Sequence, residues 1–186
     1  SLEQWATEAP DRTFVARRGP DGEWIRVTYA QMLYRVQAVA QALVDRGLSV
    51  DRPVAILSEN DLEHLTLALG AMWAGVPYAP VSSAYSLISQ DYGKLRHILG
   101  LVTPGLVFAA SPAYAQAIAT VLPADVPVAL TEGAAEAVAP GAPLAGRTVL
   151  GFNALLAAEP GPALDAAHAK VGPNTIAKFL FTSGST

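Results

Sequence analysis

Five residues at the end of the sequence, Thr182-Ser183-Gly184-Ser185-Thr186, are of types that bind phosphate. The hydroxyls of Thr182, Ser183, Ser185 and Thr186 can donate to phosphate oxygens without adding negative charge. Gly184 tolerates backbone angles that turn successive N–H groups inward, which makes an anion-binding nest. A triphosphate also needs cations, and this stretch has none. Small polar residues at the end of a sequence are most often a plain tail. The apolar run Phe179-Leu180-Phe181 directly before them argues against that reading. A strand over 175–181 would bring the motif out at the end of a sheet, and open α/β sheets bind ligands outside the carboxyl ends of their strands.

Other candidate groups have structural explanations. Residues 141–148, GAPLAGRT, approach the phosphate-loop pattern G-x-x-x-x-G-K-[ST], but Arg147 stands in place of lysine, Pro143 lies inside the loop and no strand precedes it. That pattern needs a strand–loop–helix context, so 141–148 reads as a surface loop and Arg147 as a residue that does not touch nucleotide. His64, His97 and His168 have no second ligand three or four residues onward, so their spacing argues against a metal site. Glu59, Asp61 and Glu63 cluster where a helix begins, and acids there suit the helix dipole. Residues 81–86, VSSAYS, fit a pocket at a strand end or a polar turn equally well. There is no cysteine, so disulfides, thiolate metal sites and a cysteine nucleophile are excluded.

The elements that would position the terminal motif follow from periodicity. Residues 13–27 read as a β-hairpin around Gly19-Pro20-Asp21-Gly22. Thr28 and Gln31 fit a capping box. Met32, Leu33, Val36, Val39, Ala40, Leu43 and Val44 recur at helical spacing up to Gly47, a C-terminal cap. The continuous apolar run 53–57 predicts a strand buried on both faces. A helix follows, with Asn60 as cap, Glu63 at its third position and Gly75 as its stop. Residues 76–81 predict an irregular or edge strand because of Pro77 and Pro80. Helix over 89–99, strand over 105–109, helix over 111–122 opened by Ser111-Pro112, and strand over 126–130 continue the alternation. Residues 131–150 read as an Ala-, Gly- and Pro-rich surface loop, 153–158 as a short helix and 159–174 as irregular. The prediction is an α/β fold: a mainly parallel sheet with flanking helices, in Rossmann-like βα repeats, plus an N-terminal hairpin.

Composition excludes several classes. Hydrophobic residues make up 52% of the 186 and charged residues 15%, too apolar a balance for intrinsic disorder. The formal charge is −4 and no basic stripe occurs, so nucleic acid is not an expected partner. The uncharged stretches 65–90 and 98–124 contain Gly75, Pro77 and Pro80, and Pro104, Gly105 and Pro112. Buried elements explain them better than a membrane span, which needs about 20 mostly apolar residues. The first residues carry acids and no basic-then-apolar leader pattern, so a cytoplasmic location is expected. An open edge on a parallel sheet is an association hazard, so a homodimer is also an expected state.

Three stretches together resemble the adenylate-forming superfamily of acyl-CoA synthetases, peptide-synthetase adenylation domains and luciferases. Residues 179–186, FLFTSGST, are similar to the opening of that family's phosphate loop, which goes on as Gly-x-Pro-Lys. Residues 52–81 are similar to its strand–helix–strand block, with an Ala-Gly-x-x-Tyr-x-Pro segment at 74–80. Residues 28–48 resemble its first long helix. The order and spacing agree from Leu2 to Thr186, and 75–99 looks most like the feruloyl-CoA synthetase group, whose members activate aromatic acids.

The resemblance implies an incomplete N-terminal AMP-binding domain over 1–186, ending inside the phosphate loop, with the C-terminal domain absent. It implies ATP, Mg2+ and coenzyme A as cofactors of the intact enzyme and a small carboxylic acid as substrate. Thr182, Ser183, Gly184, Ser185 and Thr186 are then the ATP-phosphate residues, and no catalytic or metal-binding residue lies in this stretch. A non-catalytic α/β binding module and an amino-acid adenylation domain are the alternatives.

Overall fold

A computed structural model describes residues 1–182. Helix α1 (Leu2–Glu8) opens the chain, with Ser1 and Gln4 forming a capping box. Strands β1 (Thr13–Arg18) and β2 (Trp24–Thr28) pair antiparallel. Helix α2 (Tyr29–Asp45) starts where expected: the Thr28 hydroxyl accepts the Gln31 N–H at 3.3 Å, and Gln31 Oε1 accepts the Thr28 N–H at 2.9 Å. Next come β3 (Val54–Leu57), α3 (Leu62–Ala74) and β4 (Tyr78–Pro80). Helices α4 (Ala84–Leu87) and α5 (Gly93–Val102) precede β5 (Leu106–Ala109). A 3-10 turn (Pro112–Tyr114), entered through Ser111, leads into α6 (Ala115–Val121) and β6 (Val128–Leu130). Helix α7 (Ala134–Ala137), β7 (Val149–Gly151), α8 (Asn153–Leu156) and α9 (Pro162–His168) follow.

The five longer-range strands form one parallel sheet in the order β4-β3-β5-β6-β7. Side chains alternate across it. Val54, Ile56, Leu106 and Phe108 point into a core shared with α2, α3, α8 and α9. Ala55, Leu57, Val107 and Ala109 point into a second core shared with α5, α6 and α7. Both faces are covered, which is why β3 and β5 are continuous apolar runs. The hairpin lies outside this sheet; Phe14, Val15 and Val27 pack on Met32, Val36 and Leu62 of α2 and α3.

Helices α2 and α3 approach closely because position 70 has no side chain. A Cβ on Gly70 would stand 2.8 Å from Val39 Cγ1 and 3.2 Å from the Val36 carbonyl oxygen. Gly70→Ala therefore lowers stability by about 1–3 kcal/mol through overpacking, although alanine is the better helix former by about 1 kcal/mol. A urea midpoint that stays level or rises would show that the two helices can separate without cost.

The structure departs from the sequence expectations at several places. Helices α1 and α4 have no counterpart among them. The cap of α3 is Asp61, not Asn60. Residues 131–150, expected as loop, contain α7 and β7. The two apolar residues of β7, Val149 and Leu150, are too few to show a period, and the strand exists through its rungs to Val128 and Ala129 of β6. Residues 159–174, expected as irregular, contain α9, fixed by Leu164 in the core and by Gln41 Oε1, which accepts the Gly161 N–H at 2.9 Å. The strand expected over 175–181 reduces to one parallel bridge, Tyr78↔Lys178, in which Tyr78 N–H donates to Ala177 O at 3.2 Å and Phe179 N–H donates to Tyr78 O at 2.9 Å. Tyr78 and Pro80 face this side of β4, because Pro77 O and the Val81 N–H bond to β3. The next rung would need an N–H from Pro80, which has none.

Candidate functional site

Numbered along the chain, the sheet strands lie second, first, third, fourth, fifth. The order reverses between β3 and β5, and a doubly wound sheet opens a ligand crevice at the carboxyl ends of such a pair. Residues 58–61 leave β3 there and residues 110–114 leave β5. Residues 81–86 leave β4 alongside.

These loops are tied to one another. Asp61 Oδ1 accepts the His64 N–H at 2.6 Å and so caps α3. The buried Ser58 hydroxyl lies 3.1 Å from His64 Nδ1, and the Glu59 carbonyl oxygen lies 3.3 Å from the same nitrogen. The Ser83 hydroxyl donates to the Glu59 carboxylate. Tyr114 is buried, and burial, then the charges of Glu59 and Asp61, push its phenol above the usual range. Asp91, ahead of α5, is held below the usual carboxylate range by the Gly93 N–H and then the Ser89 hydroxyl. Lys94 brings a cation to the same side, its Nζ 5.5 Å from the Tyr85 ring centroid.

The crevice thus carries carboxylates, hydroxyls and a buried phenol. It does not cradle a triphosphate unaided, since Glu59 and Asp61 repel phosphate. Among the described residues no group of three or more His, Asp or Glu side chains is placed to hold a metal ion. No helix among them is long and apolar enough to cross a membrane.

Of the terminal motif, Thr182 is described and exposed. Ser183, Gly184, Ser185 and Thr186 lie outside the described residues. Just before them, Phe179 packs on the α5 side of the sheet, and Phe181 lines a cavity of about 600 Å³ with Val50, Asp51, Leu101, Val102 and Thr103. The acids at 59–63 and the hydroxyls at 81–86, read from sequence as separate local features, meet through Glu59 and Ser83. The signal that could have joined them is that each directly follows a strand of the buried sheet.

Arg147 has a structural task. It donates to Pro123 O at 2.8 Å, Leu122 O at 2.8 Å and Ala119 O at 3.3 Å. Those are the orphan carbonyls at the end of α6, where a cation also suits the helix dipole. Arg147→Ala in the full-length protein is expected to cost about 1–2 kcal/mol of stability and, if that protein uses ATP as the family resemblance implies, to leave the KM for ATP within about twofold. A tenfold rise in that KM would place 141–148 at the nucleotide. His168 is likewise structural: it ends α9, stacks on Trp73 with ring centroids 4.2 Å apart, and its Nδ1 lies 3.0 Å from Trp73 O.

Comparison with known proteins agrees with this architecture. A methyl-dioxo-octahydro-indenyl-propanoyl:CoA ligase of Rhodococcus jostii (strain RHA1) is 29% identical over 194 positions, covering 100% of this chain and 35% of that protein. Bacitracin synthase 3 of Bacillus licheniformis is 33% identical over 114 residues, covering 58% of this chain and 2% of that protein. The crystal structure of a fatty acyl-adenylate ligase from L. pneumophila, in complex with acyl adenylate and pyrophosphate, matches with a TM-score of 0.65 at 17% identity. That match covers 100% of this chain and 28% of that one, and at this identity it shows a shared fold. The sequence profile described as AMP-binding enzyme matches residues 2–186. The chain belongs to the AMP-binding enzyme family.

Proposed function

We propose that residues 1–186 are the opening part of the large N-terminal domain of an ATP-dependent carboxylic acid–CoA ligase. The observation that carries this reading is coverage. The alignment with the Rhodococcus CoA ligase runs over 100% of the chain, whereas those with bacitracin synthase 3 and with a linear gramicidin synthase of Brevibacillus parabrevis run over 58% and 46%.

In the proposed reaction a carboxylate oxygen attacks the α-phosphorus of ATP. The bond to the β-phosphate oxygen breaks, leaving acyl-adenylate and pyrophosphate. The thiol of coenzyme A then attacks the acyl carbon, loses its proton, and AMP departs with the electron pair of the acyl–oxygen bond. Thr182, Ser183, Gly184, Ser185 and Thr186 hold the β- and γ-phosphates, donating hydrogen bonds as charge builds on the leaving pyrophosphate. Mg2+ would offset phosphate charge when bound. The described residues do not fit an ion on their own, since Asp61 is committed to capping α3.

The acid we favour is aromatic, on the likeness of 75–99 to the feruloyl-CoA synthetase group. The test is ATP–pyrophosphate exchange by the full-length protein with aromatic acids, aliphatic acids and amino acids, followed by thioester detection with coenzyme A. Exchange with an aromatic acid and a CoA thioester is the expected pair of results. Exchange only with amino acids, without a CoA thioester, would favour a peptide-synthetase adenylation domain. Residues 1–186 alone are expected to give no exchange, and exchange clearly above blank from verified material would refute that.

A further inference from the structure

A groove of about 580 Å³ runs beside β2, lined by Ile25, Arg26, Val27, Tyr34, Arg35 and Leu156 among others. Its floor is apolar and aromatic, with Ile25 40% and Tyr34 63% exposed. Two arginines flank it, and among the described residues neither is in an ion pair; the one pair found is Arg17 with Glu63.

The groove borders an open strand edge. β2 pairs with β1 on one side and with no other strand among the described residues. The hairpin loop fixes which groups stay outside. Gly22, at φ +82°, closes a turn with its N–H on Gly19 O at 3.0 Å, and the Gly19 N–H donates to Glu23 O at 2.8 Å. Arg18↔Trp24, Arg17↔Ile25 and Ala16↔Arg26 follow in register. Alternation along an antiparallel ladder then turns the backbone N–H and C=O of Trp24 and Arg26 away from β1.

We propose that this edge and groove dock an extended acidic segment of a partner protein. The segment adds a strand to β2 by pairing with Trp24 and Arg26, sets carboxylates on Arg26 and Arg35, and lays an apolar side chain between Tyr34 and Leu156. Backbone pairing supplies affinity and the flanking pockets supply selectivity. Charge complementarity selects the occupant. A second copy of this chain would bring both arginines twice into one interface, and like charges in an interface suppress that partner. A charged residue on a strand edge is a usual guard against self-pairing, and here it leaves acidic strands as the ones admitted. Neither arginine belongs to the crevice at the carboxyl ends of β3 and β5, so the proposal stands apart from the ligase reading.

The experiment is a fluorescence-anisotropy titration of the full-length protein with a labelled Glu-Val-Glu-Leu-Glu-Val-Glu peptide. Its Lys-for-Glu counterpart and the acidic peptide N-methylated at alternate residues are run beside it. The acidic peptide is expected to bind saturably, at least about tenfold more tightly than either control, and more weakly as salt screens the charges. Arg26→Glu with Arg35→Glu is expected to weaken it at least about tenfold without changing pyrophosphate exchange. If charge reversal disturbs folding, Arg26→Ala with Arg35→Ala and Tyr34→Ala carry the same comparison. Equal affinity for acidic and lysine peptides, indifference to N-methylation, no saturable binding because a later segment of the full-length chain already pairs with β2, or a dimer by sedimentation that the arginine substitutions abolish would each overturn the proposal.

Discussion

Gly184→Val in the full-length protein is expected to stop acyl-adenylate formation while leaving thioester formation from synthetic acyl-adenylate close to normal. The expectation rests on the proposal that Thr182 to Thr186 hold the β- and γ-phosphates of ATP. A β-branched residue resists positive φ, and its methyl groups would occupy the space of the phosphates. Ser183→Ala is the milder form of the same test. It deletes one hydrogen bond to a charged group, worth about 1.5–3 kcal/mol. If that bond tightens as pyrophosphate leaves, the loss falls on kcat as well as on KM. Adenylation then slows roughly 10- to 100-fold, at about 1.36 kcal/mol per factor of ten. No triphosphate takes part in the second half-reaction, so a synthetic acyl-adenylate with coenzyme A bypasses the loop. Equal loss in both half-reactions would point to structural damage, and no loss in either would make these residues a tail.

The parts of this fold that are legible without the structure are those whose signals are local. The Thr28–Gln31 capping box, the stop at Gly75 and the unbroken apolar runs of β3 and β5 each identify an element from a few neighbouring residues. β7 is not legible because its strand character comes from β6. Helix α9 is not legible because its anchor is Gln41, a residue far away along the chain. The terminal segment shows the opposite error. Its apolar run predicts a strand by composition, but Pro80 on the neighbouring strand ends the ladder after one bridge. The candidate crevice divides the same way. The acids at 59–63 read from sequence as a helix start, with the cap placed one residue early at Asn60 where the structure uses Asp61, whereas the Glu59–Ser83 contact joins positions 24 residues apart and needs the strand order to appear.

Phe108→Ala tests whether that strand order also carries the stability of the domain. Phe108 sits on β5, between Ile56 of β3 and Ala129 of β6, with 0% of its surface exposed. Its ring meets Phe152 edge-on, with centroids 5.4 Å apart, so one side chain joins the middle of the sheet to the start of α8. Its partner on β6 is the small Ala129, so truncation opens a cavity that surrounding side chains refill only in part. Truncation is expected to cost about 3–5 kcal/mol, a large part of the roughly 5–15 kcal/mol that holds a domain folded. Urea unfolding of Phe108→Ala, Phe152→Ala and the double variant measures it. The ring pair should show a coupling of about 0.5–1.5 kcal/mol, while Phe108→Leu, which keeps most of the volume, should lose less than half as much as Phe108→Ala. A loss for Phe108→Ala below about 1.5 kcal/mol, with no coupling, would mean that α8 and the sheet relax into the space. The α2, α3, α8 and α9 side would then be a loosely held layer, and the crevice would owe its geometry to the other core, where Leu57, Ala109 and Tyr114 pack together.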